Sequence, residues 1–274
     1  MPETIYDSAR SRYPALDELR EIIHYRDLLY QLTRRDILTR YKRSVLGIAW
    51  TMLNPLGTML ILTFVFSRAF GQGRDYAAYI LSGLVAWLLL SQTTSAAMVH
   101  LIWGEGLLKR IYIPRTVFAL SAVGVGLVNL VLSLVPLLLV MLLTGVPIRW
   151  TVLFLPVPVL CLALFSLGVG LIVSTLAVYF ADVAEMYPII TLAWMYLTPV
   201  IYPRQYLEQF SSLGVWVLRL NPMTHLVELF RLPLYDGVIP GLGQVLVCMA
   251  IALITVLLGW WFFTRQADEL AYRL

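Results

Sequence analysis

Between Ser44 and Ser67 the chain runs 24 residues without a charge, directly after the basic run Arg34, Arg35, Arg40, Lys42 and Arg43. Crossing the hydrocarbon core of a bilayer takes about 20 apolar residues, so a stretch of this kind reads as a spanning helix with a cationic collar at one end. Composition agrees. Of 274 residues 60% are hydrophobic and 13% charged, about half the charged share of a soluble domain (roughly 25%). The net charge of +4 matters less than where the cations sit.

Charge-free intervals cover 44–67, 76–104, 116–148, 150–181, 186–203 and 237–264. Five exceed the spanning length. The interval 186–203 has 18 residues and just reaches it. Six spans are expected. They are helices, because backbone in lipid must satisfy its own hydrogen bonds and no barrel-like alternation is present. With both termini inside, the inner segments hold 14 cations and the outer ones 6, which favours N-in, C-in. The short inner turn 182–185 carries no cation, and its Asp182 and Glu185 bear little on that rule. Residues 1–43 lack an apolar signal core, so no cleavage is expected.

The connecting segments are amphipathic. Leu16, Leu19, Ile23, Leu29, Leu32 and Ile37 draw one apolar stripe, which predicts a helix over 15–43 lying on the cytoplasmic membrane surface. It would anchor the chain, offer a docking surface for a partner, or do both. Division follows: 1–43 is an interface segment and 44–274 the transmembrane domain. The outer segment 204–236 mixes Leu, Val, Phe and Trp with charges and breaks at Asn221-Pro222. Two short helices near 204–219 and 223–232 fit it, re-entrant or interfacial, between spans five and six. The inner loop 98–115 predicts a short helix to about Arg110, stopped before Pro114. Taken alone, Asp182 reads as a helix cap.

Catalytic chemistry is missing. There is no G-x-x-x-x-G-K-[ST] loop, and the two lysines, Lys42 and Lys109, follow no phosphate-cradling glycines. Neither H-E-x-x-H nor G-x-S-x-G occurs. Cys161 and Cys248 sit in apolar runs as small hydrophobes. His24, His100 and His225 are too scattered for a metal site, and His225 with Glu228 reads as a local polar pair. No acid falls inside a predicted span, which disfavours an ion-driven carrier, a channel or a membrane-embedded enzyme. A lipid surface explains the collar without nucleic acid.

Four stretches carry a resemblance. They are Arg35-Asp36-Ile37 through Arg40-Tyr41-Lys42, Ser44 and Leu46-Gly47 to Trp50 and Pro55; Leu107 to Arg115; Tyr179-Phe180, Asp182-Val183 and Thr198 to Pro203; and Leu220 to His225 with Phe230-Arg231. In order and content the set resembles the membrane subunit of ABC-2 type exporters of O-antigen, capsule and teichoic-acid polymers. The resemblance implies a multi-pass permease of the bacterial inner (cytoplasmic) membrane, not itself an enzyme. It also implies a homodimer of six-helix half-transporters with two copies of a separate ABC ATP-binding subunit. ATP and Mg would sit there, with no cofactor on this chain.

The cargo so implied is a lipid-linked polysaccharide moved outward from the cytoplasmic leaflet; the alternative is an ABC-2 exporter of a drug or small lipid. Coupling to the ATPase falls to Leu107, Leu108, Lys109 and Arg110, with Asp182 from the second inner turn, where Ala181 replaces a frequent Arg. Arg35, Arg40, Lys42 and Arg43 are candidates for the lipid headgroup, since guanidinium binds phosphate bidentately. Phe64, Phe66, Phe70, Trp194, Tyr196 and Tyr202 are candidate channel aromatics, able to stack on sugar C–H faces. The resemblance puts Asn221, Pro222 and His225 at an outer gate.

Overall fold

The computed structural model describes residues 24–42, 44–70, 73, 75–103, 115–204, 206 and 212–266. Among these the fold is all helical. The helices are α1 (Arg26–Tyr41), α2 (Ala49–Phe70), α3 (Tyr76–Trp103), α4 (Thr116–Thr144), α5 (Pro156–Tyr179), α6 (Asp182–Tyr196), α7 (Ser212–Leu220), α8 (Pro222–Arg231) and α9 (Leu242–Arg265). A 3₁₀ turn, Trp150–Phe154, leads into α5, and a π turn, Leu232–Asp236, continues α8.

Among the described residues five helical segments are long and apolar enough to cross a membrane: α2, α3, α4, α5 with its leading turn, and α9. Their ends follow local rules. Gly145 closes α4 at φ +83°, its N–H reaching the carbonyls of Leu142 and Met141. A left-handed residue at that place suits glycine. Pro156 opens α5, where a missing N–H is harmless. Hydroxyls within the spans return to carbonyls one turn back, as Thr94 does to Leu90 and Thr175 to Leu171.

The core is built on α3, which packs against α4 and α5, while α9 packs on α5. The α5–α9 crossing is close because two glycines meet there. A Cβ on Gly168 would lie 2.5 Å from the Thr255 backbone, and one on Gly259 would lie 2.4 Å from the Gly168 carbonyl oxygen. In lipid, where no hydrophobic force drives helices together, such small residues supply the packing contact. By contrast α2 leaves Leu60, Ile61, Phe64 and Val65 exposed along one side.

Two expectations need adjustment. The interface helix, expected over 15–43, is described over 26–41 and is docked on the bundle. Leu32, with Leu28 and Leu29, packs on Val117 and Phe118 at the start of α4. A polar contact of 3.3 Å joins Asp36 Oδ2 to His100 Nε2 near the end of α3. Leu16, Leu19 and Ile23 lie outside the described residues. The second adjustment concerns 186–203. Its helix, α6, has 15 residues. That is about 22 Å at 1.5 Å per residue, short of the ~30 Å hydrocarbon thickness. The rest of the run, Leu197 to Tyr202, is a turn.

Candidate functional site

The densest polar constellation lies where the end of α6 meets α8, and Asn221 is its hub. Asn221 is the N-cap of α8, with Pro222 as the first helical residue. Its Oδ1 accepts the backbone N–H of Met223 at 3.0 Å and the indole N–H of Trp194 at 2.8 Å. Its Nδ2 donates to the Leu197 carbonyl at 3.2 Å and to Thr198 Oγ1 at 2.9 Å. One amide therefore holds the start of α8, the last turn of α6 and the turn after it. All its bonding capacity is used, as a buried amide requires.

The other end of α8 is held by Arg231, a buried guanidinium. Its Nη1 donates to the Pro199 carbonyl at 3.0 Å and its Nη2 to the carbonyls of Tyr79 and Val200 at 3.2 Å each. Nε donates to Ser82 Oγ at 3.2 Å, and the guanidinium lies 3.7 Å from the Tyr79 ring centroid. Carbonyl dipoles and a ring face thus replace a carboxylate partner. Between the two anchors Met223, Leu226, Val227, Leu229 and Phe230 are fully buried. So α8 is a component of the core, packed against α3, α5 and α9, and not a helix on a surface.

Sequence-derived candidates separate into groups. Asn221 and Pro222 sit at the hub. His225 is on the same helix, but its ring nitrogen meets the Arg219 carbonyl at 2.9 Å. Nor does it pair with Glu228, which takes Arg204 at 3.1 Å. Phe66, Phe70 and Tyr202 form an aromatic row, with centroids 5.9 Å apart for the first pair and 6.1 Å for the second. Phe64 stands 86% exposed and Tyr196 49% exposed. Trp194 turns inward instead, edge-on to Trp87 at 5.9 Å and Phe165 at 6.2 Å. Arg35 pairs with Asp36 at 3.4 Å, while Lys42 is exposed and Arg40 borders a cavity between α2, α3 and α4.

Asp182 is the first residue of α6, exposed, and makes no cap bond, so it acts on the helix N-terminus through charge alone. Arg43 and Leu107, Leu108, Lys109 and Arg110 lie outside the described residues. No group of His, Cys, Asp and Glu that could hold a metal occurs among the described residues. Arg231 was not among the sequence candidates. Its sequence signals are the Phe230-Arg231 pair in the fourth resembling stretch and a cation directly following a run of apolar positions at helical spacing, Leu226, Val227, Leu229 and Phe230.

Residues 27–235 match the ABC-2 type transporter family. The chain belongs to that family. Among curated relatives, this permease is 31% identical over 244 residues to the O-antigen export system permease protein RfbA of Myxococcus xanthus, covering 88% of this chain and 92% of the relative. It is 26% identical over 209 residues to RfbA of Klebsiella pneumoniae, covering 75% and 79% respectively. It is 25% identical over 213 residues to the polysialic acid transport protein KpsM of Escherichia coli, covering 76% and 79%. The matched region takes in α2 to α8 whole, so the Asn221 hub and the Arg231 clamp are parts of the transporter domain.

Proposed function

We propose that this permease is the membrane half of an ATP-driven exporter that carries a lipid-linked polysaccharide outward from the cytoplasmic leaflet. The supporting observation is its similarity, along most of its length, to an O-antigen export permease. Two copies enclose the pathway, with the sparsely packed α2 and the exposed side of α6 facing it. Both termini are cytoplasmic, in keeping with the cation bias. Work comes from two copies of a separate ATP-binding subunit, in line with the absence of a phosphate loop in this sequence. ATP shifts the equilibrium only because it binds the closed state of those subunits better than the open one.

Residues follow from this. The motion enters through Leu107, Leu108, Lys109 and Arg110 and the collar, with Asp182 at the second inner turn. Arg35, Arg40, Lys42 and Arg43 attract the phosphate of the lipid carrier. Phe64, Phe66, Phe70, Tyr196 and Tyr202 offer faces on which sugar rings slide, and α8 with its anchors forms the outer gate. Reconstitution of the permease with its ATPase and candidate lipid-linked polymers tests the reading. Movement of polymer with ATP is the expected result, and transport of only a drug or a small lipid would replace it with that alternative. Charge reversal at both Lys109 and Arg110 should leave the protein inserted but separate ATP hydrolysis from export. Unchanged export would remove the coupling role.

A further inference from the structure

A cavity of about 300 Å³ lies within the span region, bounded by α2, α3 and α4 and by the end of α1. That size is at the lower end of small-molecule sites. Its lining is unusual for a lipid-embedded bundle. Trp50 and Asn54 share one face of α2, Gln92 comes from α3, Asn129 and Ser133 from α4, and Arg40 from α1. Three carboxamides converge, and no acid lines the cavity. Asn129 and Ser133 are buried there, Gln92 is half-buried and Asn54 exposed, and buried polar side chains in a span are expensive unless something meets them.

Internal bonding meets only part of the need. Asn129 Nδ2 donates to Gln92 Oε1 at 3.0 Å, and Ser133 Oγ to the Thr51 carbonyl at 3.4 Å. The Asn129 acceptor oxygen, the Gln92 donor and the whole Asn54 amide have no partner among the described residues. Carboxamides offer a donor and an acceptor side by side. They match a ligand whose own groups are both donors and acceptors, which is the character of vicinal hydroxyls. Trp50, half exposed, adds an apolar face for the C–H side of a ring. Arg40 adds one cation at the edge, fit for a single anionic group.

From this set we infer that the cavity binds the sugar nearest the lipid, with Arg40 on its phosphate. The inference rests on the reading that the cargo is a lipid-linked glycan. A neutral ring goes to Asn54, Gln92 and Asn129, and its phosphate points to the collar. Trp50 and Asn54 lie in the first two turns of α2, so the cavity opens beside the end where the collar meets the membrane. A phospholipid headgroup would leave the carboxamides largely unanswered. Water alone would make no use of the indole.

The test uses the full permease–ATPase complex in nanodiscs and calorimetry with farnesyl diphosphate, bare or carrying glucose, galactose or N-acetylglucosamine. At least one sugar form should bind about tenfold tighter than the bare diphosphate, the size of one or two net hydrogen bonds. Asn54→Ala should abolish that preference while sparing the bare probe, and Arg40→Ala should weaken both. Asn54 is exposed, so its variant folds; Asn129→Leu, a deeper change, is a second reading of the same loss. Equal binding of every probe, or a preference that survives Asn54→Ala, overturns the assignment. Glycan display on cells carrying the wild-type pair reads the exporter proposal separately. Display without sugar preference sinks the cavity assignment alone, and absence of display sinks the exporter reading.

Discussion

Replacing Arg231 by methionine removes the clamp on α8 while keeping most of the side-chain volume. The guanidinium is 7% exposed, so its partners cannot turn to solvent. Without it the Val200 carbonyl has no other donor among the described residues. The Pro199 carbonyl keeps only a 3.5 Å approach from the Tyr79 hydroxyl. Tyr79 O is less affected, because Ser82 Oγ still donates to it at 2.7 Å. Two stranded buried carbonyls cost about 2–6 kcal/mol at 1–3 each, and the lost cation–π contact adds about 1–2 kcal/mol. Relief from burying a charge returns part of this. A net loss of about 4 kcal/mol remains, which for a chain of this size lowers the melting temperature by on the order of 10 °C. Lysine keeps the charge but not the planar fork, so Arg231→Lys should fall between. Thermal unfolding of the detergent-solubilised protein, followed by size exclusion, reads the series, with polymer export measured in parallel. A methionine variant that melts within about 2 °C of wild type would refute the clamp.

Other outcomes test neighbouring parts. Asn221→Ala should destabilise by about 2–4 kcal/mol, a helix cap plus an unpaired indole N–H, and Asn221→Asp by at least as much, because its second oxygen faces the Leu197 carbonyl in place of a donor and its charge is buried; the same melting assay decides. Gly259→Val should force α5 and α9 apart, since even a Cβ meets the Gly168 carbonyl oxygen at 2.4 Å; a folded, monodisperse variant with normal melting would contradict the close crossing. Trp194→Ala should lower the melting temperature because the indole packs on Trp87 and Phe165. Tyr196→Ala, with its ring half exposed, should leave melting unchanged and reduce export of long chains; chain length on gels reads the second effect.

How far these features were legible in the sequence depends on which solvent surrounds each stretch. Charge-free length located α2 to α5 and α9, because a helix facing lipid and one facing other spans both exclude charge. The same criterion is blind to the difference between a span and a short buried helix followed by a turn. Residues 186–203 are apolar partly because α8 covers the turn at Leu197–Tyr202, and so the interval looks like a marginal span while α6 is only 15 residues long. Amphipathic pattern located α7 and α8, and Asn221-Pro222 marked the cap between them.

The pattern left that segment's helices re-entrant or interfacial and singled out no role for Arg231. A cation bonded to carbonyls about 30 and 150 positions away carries no local mark of those partners. Its position gives α8 a distinct mechanical character. Asn221 joins α8 to the end of α6, and Arg231 joins it both to the turn after α6 and, through Ser82 and Tyr79, to α3, so the three elements form one bonded unit. If the proposed outer gate lies here, α8 shifts only together with the end of α6, its turn and the facing part of α3. Cysteine pairs that lock α8 to α6, or α8 to α3 across the Tyr79–Arg231 contact, should then each leave export intact. Loss of export on either cross-link would show that α8 swings on its own and that the anchor on that side breaks in each cycle.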